Sequence, residues 1–271
     1  MDLSKVKLVV SDMDGTLLNS KGEISDLFFG LFHKLKKQNI HFCAASGRQY
    51  HSIVYKLAPI KDDIFIIAEN GGIAKKKDEI FVLNSLSVEK IKTIIPVLRT
   101  INDTHIVLCG KKSAYIETTN KHFTTILDEY YTVHKTVPDL TKIADTEDFL
   151  KIAVYHSKSS EANIYPAIKH LKKEYLIKIS GKNWLDISDE KANKGNALRE
   201  VQKRLNISKE ETLVFGDYHN DIEMLQEATF SFAMKNAHKD ILKIASYSTE
   251  SNDNFGVEKI LNLLIESNSK E

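Results

Sequence analysis

Hydrophobic positions in the first third of the chain switch between two periods. Val6 to Ser11 is a short, nearly unbroken apolar run, the pattern of a strand buried on both faces. Leu27, Phe28, Leu31, Phe32 and Leu35 then recur at helical spacing, with Ser25 placed to cap that helix. Ile40 to Ala45 is a second strand-like run, ending at Ser46-Gly47-Arg48 and followed by a short helix. Ile64 to Ala68 is a third, ending at Glu69-Asn70-Gly71-Gly72, and Lys75 to Asp78 reads as the turn of a hairpin between Ile73-Ala74 and Ile80 to Leu83. This β-α-β-α-β rhythm predicts an α/β fold: a parallel sheet with helices on its faces and a site at the carboxyl ends of its strands.

From Asn84 to Asp186 the pattern changes. Helical spacing over Val88–Leu98 and His122–Tyr130 is interleaved with short strands at Ile106–Cys109, Ala114–Glu117 and Leu150–His156. A further helical segment, Glu161–Lys173, contains Pro166, which either kinks it or delays its start. Tyr175–Ile179 and Trp184–Ile187 resemble a hairpin around Gly181. Paired strands with helices between them predict an α+β module, residues 84–186, inserted into an α/β core of residues 1–83 and 187–271. The α/β rhythm resumes with a helix over Lys194–Leu205 and a strand over Thr212–Phe215 that ends at Gly216-Asp217. A helix at Asp221–Glu227, a strand at Phe230–Met234 and helices at Ile241–Ala245 and Val257–Ile265 complete it.

Composition narrows the function classes. A formal net charge of +1 over 271 residues lacks the basic excess of a broad nucleic-acid footprint. No apolar run approaches the roughly 20 residues that span a bilayer. Cys43 and Cys109 are too isolated for a metal-ligand spacing and suggest reduced thiols in a cytoplasmic protein. No feature of the sequence specifies an oligomer.

The chemistry concentrates where strands end. Asp12 and Asp14 lie one residue apart, so in extended backbone both carboxylates point to one side. Such a pair is costly without a cation or a proton between its members. A tight Asp14-Gly15 turn is the plain alternative. An EF-hand calcium loop is excluded, because its sixth position needs glycine and is Leu17 here. Taken singly, Ser46-Gly47 is a helix-start turn, Lys194 a surface lysine, and Asp217 with Asp221 a helix cap. Taken in order, each at a strand-to-helix junction of one sheet rim, they supply two acids, a hydroxyl, a cation and a second acid pair. That set suits phosphoryl transfer.

With these residues in this order, the chain resembles the haloacid dehalogenase superfamily of phosphatases, and most closely the Cof-like subgroup with a large α+β cap inserted after the third core strand. Asp12-Met13-Asp14-Gly15-Thr16, Ser46-Gly47-Arg48, Lys194-Gly195 and Gly216-Asp217-Tyr218-His219-Asn220-Asp221 match its four motifs in turn, and Glu69-Asn70-Gly71-Gly72 and Asn236-Ala237 match two of its turns. Ser46 stands where threonine is commoner and offers the same hydroxyl.

The resemblance implies a phosphatase with Asp12 as nucleophile and Asp14 as acid and base. Ser46, the N–H groups of Met13 and Gly47, Lys194 and Asn220 are then the phosphate-binding groups. Mg²⁺ is then held by Asp12, the main-chain carbonyl of Asp14 and Asp217, with Asp221, Arg48 and Asn70 in support. Thr16 offers a polar handle for anchoring Asp14. The implied partner is a small phosphate ester, such as a sugar phosphate or phosphorylated cofactor, read by the cap. A phosphohexose-mutase-type phosphotransferase, or a non-catalytic binder of phosphorylated ligands, is the alternative use of the same core. No motif in the inserted module fixes specificity; Lys112, Tyr115, His122 and Trp184 are its polar or aromatic residues, each expected at the surface or in the core.

Overall fold

The structure, a computed structural model, describes residues 2–269. Its first half opens with β1 (Leu8–Ser11), α1 (Asp26–Lys37), β2 (His41–Ala45), α2 (Tyr50–Lys56) and β3 (Phe65–Ala68), followed by a hairpin of β4 (Ile73–Lys76) and β5 (Glu79–Leu83). Ser25 caps α1 as its position suggested, its hydroxyl accepting from Phe28 N at 3.1 Å. The hairpin turn is tighter than the sequence suggested. Lys75 and Lys76 stay in the strand, and Lys77 takes the left-handed conformation at φ 54°.

The chain then forms α3 (Val88–Leu98), β6 (Thr104–Gly110), β7 (Ala114–Ile116), α4 (Lys121–Asp128), β8 (His134–Thr136), β9 (Phe149–His156), two short helices α5 (Ser160–Asn163) and α6 (Tyr165–Ile168), and the hairpin of β10 (Leu176–Ile179) and β11 (Trp184–Ser188). The helical segment over 161–173 is interrupted at Pro166, one of the two effects expected of it. Pro166 lacks an N–H and its ring collides with the carbonyl four residues back, so α5 stops at Asn163 and α6 restarts with the proline in its first turn. The expected helix over 122–130 ends at Asp128, which frees Tyr130 and Tyr131 to turn elsewhere.

The return segment comprises α7 (Lys194–Leu205), β12 (Thr212–Gly216), α8 (Ile222–Leu225), β13 (Phe230–Ala233), α9 (Lys239–Ile244), β14 (Tyr247–Ser248) and α10 (Gly256–Asn268). Two sheets result. The first has the order β14-β13-β12-β1-β2-β3-β4-β5, with its six strands from β14 to β3 parallel and the β4–β5 hairpin antiparallel. The second has the order β10-β11-β9-β6-β7-β8 and is antiparallel except for the β7–β8 pair. This is the α/β architecture read from the hydrophobic pattern.

Side-chain alternation along each strand splits the first sheet's core in two. Val9, Phe42, Phe215 and Phe232 pack under α1 and α10, while Leu8, Val10, Cys43 and Val214 pack under α7 and α8. The second sheet likewise buries Leu108, Ile152 and Val154 against α3, and Val107, Cys109 and Ala153 against Phe123 and Leu127 of α4. Cys43 and Cys109 are free and buried in these cores. Among the described residues no helix is long and apolar enough to cross a membrane.

Candidate active site

In the first sheet β1 is flanked by β2 on one side and β12 on the other, so chain order reverses at β1. Carboxyl ends of strands at such a reversal leave a crevice. β1 delivers Asp12 and Asp14 there, β2 delivers Ser46, β12 delivers Asp217, and the first residue of α7 delivers Lys194. The β1 loop is held from several sides. Asp12 N donates to Phe215 O at 3.1 Å, and Asn236 Nδ2 donates to the Gly15 carbonyl at 2.7 Å. Gly15 is required here: its φ is +75°, and a Cβ would stand 2.4 Å from Asp217 Oδ2.

Lys194 is the centre of the charge arrangement. Wholly buried, its Nζ donates to Asp12 Oδ1 at 2.5 Å and to Asp221 Oδ1 at 2.6 Å. Asp221 spends its other oxygen on the β12 loop, accepting from Asp217 N at 2.9 Å and Tyr218 N at 3.1 Å. Asp217 accepts from Thr16 Oγ1 at 3.1 Å. The expectation that Thr16 anchors Asp14 is therefore corrected: its hydroxyl reaches across to Asp217.

Two carboxylates share that ammonium and a third crowds them: an oxygen from each of Asp12, Asp217 and Asp221 lies within 4.8 Å of the others. Burial, then the Asp221 charge, pushes the Asp12 carboxyl up to about 7. Burial and the neighbouring Asp12 and Asp221 hold Asp217 well above the usual carboxylate range. Burial works against the Lys194 charge, but Asp12 and Asp221 outweigh it and keep the ammonium firmly protonated. A crowded, all-oxygen and over-negative donor set of this kind fits a hard divalent cation.

Asp14 lines the same cleft as Asp12 but has a different partner. Its carboxylate, 44% exposed, receives a two-pronged contact from Arg48, with Nε to Oδ2 at 2.7 Å and Nη2 to Oδ1 at 2.6 Å. Arg48 Nη1 also donates to the carbonyl of Glu129, just past α4, and its guanidinium lies 4.6 Å from the centre of the Tyr130 ring. Ser46 is buried, and its hydroxyl accepts from Arg48 N at 3.0 Å. Met13 has only its main chain to offer, since its side chain is sealed in the core. Asn220 donates through Nδ2 to Asn70 Oδ1 at 3.0 Å, and Asn70 in turn donates to Asp186 of β11. The turn that presents Asn70 depends on Gly71, whose φ is +92° and whose Cβ would fall 2.3 Å from the Asn193 carbonyl.

A cleft of about 450 Å³ lies over these residues, between the two sheets. Its far wall comes from Tyr130, just past α4, and from Tyr155, Lys151, Trp184 and Asp186 of the second sheet. Of the four polar or aromatic residues singled out in the inserted module, Trp184 lines this cleft, whereas Tyr115 is tied to Glu147 at 2.6 Å.

Lys151 and Asp186 were missed at the sequence level. Each is a lone charge inside an otherwise apolar strand, Leu150-Lys151-Ile152 and Leu185-Asp186-Ile187, and that pattern was the available signal. Lys151 Nζ donates to the Gly47 carbonyl at 2.6 Å and to Asp186 Oδ2 at 3.0 Å, and lies 3.1 Å from Glu69 Oε2 without hydrogen-bond alignment. With Asp186 already pairing Lys151, Glu69 is a surplus buried acid, and burial pushes its carboxyl up to about 7 despite Lys151. The folded state therefore holds a proton on Glu69 that the unfolded chain releases near the ordinary value of 4.5. Stability from this group is full below the unfolded value and is lost as pH rises towards about 7. Glu69→Gln is expected to flatten that part of the stability–pH curve, measured by urea unfolding of both proteins across the interval. Parallel curves for the two would contradict it.

Residues 9–261 match the family model described as haloacid dehalogenase-like hydrolase. The 5-amino-6-(5-phospho-D-ribitylamino)uracil phosphatase YbjI of Escherichia coli (strain K12) is 30% identical over 263 residues, 96% of each protein. Among solved structures, SMU.1108c from Streptococcus mutans UA159 superposes with a TM-score of 0.88 at 28% identity, covering 96% of this chain and 99% of that one. TM0651 from Thermotoga maritima does so with a TM-score of 0.80 at 27% identity, covering 95% and 97%. With its motif residues gathered on one rim and this likeness running over nearly its whole length, the chain belongs to the haloacid dehalogenase-like hydrolases, as one of their phosphatases.

Proposed function

We propose that this protein hydrolyses small phosphate monoesters through a phosphoryl group carried transiently on Asp12. The observation that carries this reading is the Lys194 bridge, which holds Asp12 and Asp221 at 2.5 and 2.6 Å beneath an open cleft. A carboxylate oxygen of Asp12 attacks phosphorus as the bond to the leaving alkoxide breaks, while Lys194 steadies that carboxylate through Oδ1. Asp14 gives that alkoxide its proton, then takes one from the water that cleaves the acyl phosphate and restores the Asp12 carboxylate. Ser46, Lys194, Asn220 and the N–H groups of Met13 and Gly47 bind the phosphate oxygens. Mg²⁺ is the metal we assign, held by Asp12, the Asp14 carbonyl and Asp217; when bound it offsets the repulsion between an anionic nucleophile and an anionic phosphate.

Residues 84–186 act as a cap that covers the site and excludes water. The loop from Ser46 to Gln49 supports this, because it touches the 84–186 segment repeatedly: Gly47 O to Lys151, Arg48 to Glu129 O, and Gln49 Nε2 to Val133 O at 2.9 Å. Arg48 thereby ties the position of the cap to the orientation of Asp14. Its fork must release one carboxylate oxygen before Asp14 can pass a proton to a leaving group.

The cleft's aromatic wall favours a leaving group that carries a planar ring. Trp184 stands edge-to-face with Tyr155 at 5.0 Å and with Tyr130 at 5.4 Å, a surface on which a ring stacks or docks by its edge. A ribityl phosphate joined to uracil, the substrate in the E. coli relative's name, is the first ester to test.

The experiment is a panel of sugar phosphates, phosphorylated cofactors and this ring-bearing ester, assayed for inorganic phosphate with Mg²⁺ and with EDTA. Phosphate release that needs Mg²⁺ is expected, and transfer between sugar positions without phosphate release would instead identify a mutase. Asp14→Asn is expected to slow turnover by roughly 10²–10⁴-fold. Unchanged turnover in that variant would remove the acid–base role.

A further inference from the structure

One other group of metal-competent side chains gathers among the described residues: His219, in the loop after β12, with His238 and Asp240 at the start of α9. A ligand atom from each lies within 4.8 Å of the others. Their spacing is distinctive. His219 Nε2 is 3.4 Å and His238 Nδ1 is 3.5 Å from the same oxygen, Asp240 Oδ2. Hydrogen bonds between such atoms run about 2.7–3.2 Å, so both approaches are long for that purpose. Two ligands each about 2.05 Å from a tetrahedral ion stand about 3.3 Å apart, close to what is seen.

Each ring turns one nitrogen to Asp240: Nε2 of His219, in a long hydrogen bond of 3.4 Å, and Nδ1 of His238. His219 Nδ1, the nitrogen not turned to Asp240, is buried without a partner. His238 Nδ1 faces the Asp240 N–H at 3.3 Å, a weak cap on a helix of six residues, and its lone pair is the one an ion would take. The three side chains are 24%, 29% and 45% exposed, which leaves an entry path and room for a water as fourth ligand. Two imidazoles and a carboxylate select a borderline ion such as Zn²⁺ or Co²⁺, in contrast to the all-oxygen cluster around Asp12.

We propose that His219, His238 and Asp240 form a second metal site, for a Zn²⁺-class divalent ion, on the outer side of the loop that carries Asp217. The coupling to catalysis is direct in the backbone: His219 is two residues beyond Asp217, and His238 N donates to the Asp217 carbonyl at 2.9 Å. An ion here braces α9 against that loop and modulates turnover without touching substrate.

The test uses the full chain, stripped with EDTA and dialysed against Co²⁺ in a large excess of Mg²⁺ that fills the carboxylate cluster. One equivalent of Co²⁺ is expected to remain, with the intense visible absorption of a four-coordinate ion. It is expected to persist in Asp12→Asn, and to be lost in Asp240→Asn and in the double variant His219→Gln with Asp240→Asn, each checked for an unchanged thermal melt. Failure to retain Co²⁺ against Mg²⁺, or equal retention by the wild type and the folded Asp240→Asn variant, would overturn the site. Either result leaves the phosphatase reading untouched, since that rests on Asp12.

Discussion

Asp12→Asn is expected to lower turnover of an aryl phosphate by more than roughly 10⁴-fold, because the step it removes is covalent and no neighbouring group can replace it. The same variant is expected to melt no lower than the wild type in EDTA. Asp12 is 4% exposed, and burial together with the Asp221 charge raises its carboxyl from the ordinary 3.8 to about 7. A raised value in the folded state means that metal-free stability from this group is full at acid pH and declines as pH climbs through that range. Asparagine keeps the shape and removes the charge, so the gain in melting temperature should be larger at about pH 8 than at about pH 5. Lys194 retains Asp221 as its partner in the variant. A melting temperature that falls by several degrees would show that Asp12 is there for stability, contrary to the reading above.

Lys194→Ala carries the second large effect, in the opposite direction for stability. Removing the one cation between Asp12 and Asp221 leaves two buried carboxylates uncompensated, for which a loss of about 3–5 kcal/mol is expected. Lys194→Arg should not rescue it, because the side chain is fully enclosed and a planar guanidinium needs more room than an ammonium. Urea unfolding of the metal-free proteins measures the loss, and turnover should fall in both variants. A loss under about 1 kcal/mol, the range of an exposed ion pair, would contradict a buried charge centre.

The parts of the site legible in the sequence are those whose chemistry is local. Asp12 and Asp14 announce themselves because two acids follow an apolar run. Ser46, Lys194 and Asp217 follow because each opens or closes an element of the same rim. What could not be read depends on contacts made across the fold. Thr16 was assigned to Asp14, its neighbour, whereas its partner Asp217 is 201 residues away. Lys151, Asp186 and Tyr130 acquire their meaning only when the second sheet is laid over the first. The element pattern was readable for the same local reason, down to the limits of α3 and α7. It failed where the segment was too short to show a period, as in β8 and β14, whereas the interruption at Pro166 was itself readable.

Asp14 and Arg48 show how a local motif and a distant contact combine. The sequence places both residues on the rim, yet only the fold reveals that Arg48 holds Asp14 and the Glu129 carbonyl together. Arg48→Lys should therefore raise KM and lower kcat together, since an ammonium cannot reproduce the fork on Asp14 while reaching the cap. A change in KM alone would leave Arg48 a substrate contact with no role in orienting Asp14.

The measurement closest to the central claim is to locate the phosphoryl group itself. Asp14→Asn enzyme, mixed with Mg²⁺ and a phosphate ester and quenched in acid, should yield one labile acyl phosphate, mapped by mass spectrometry to the peptide that contains Asp12. A phosphoryl group found on any other residue, or turnover with none captured, would contradict covalent catalysis by Asp12.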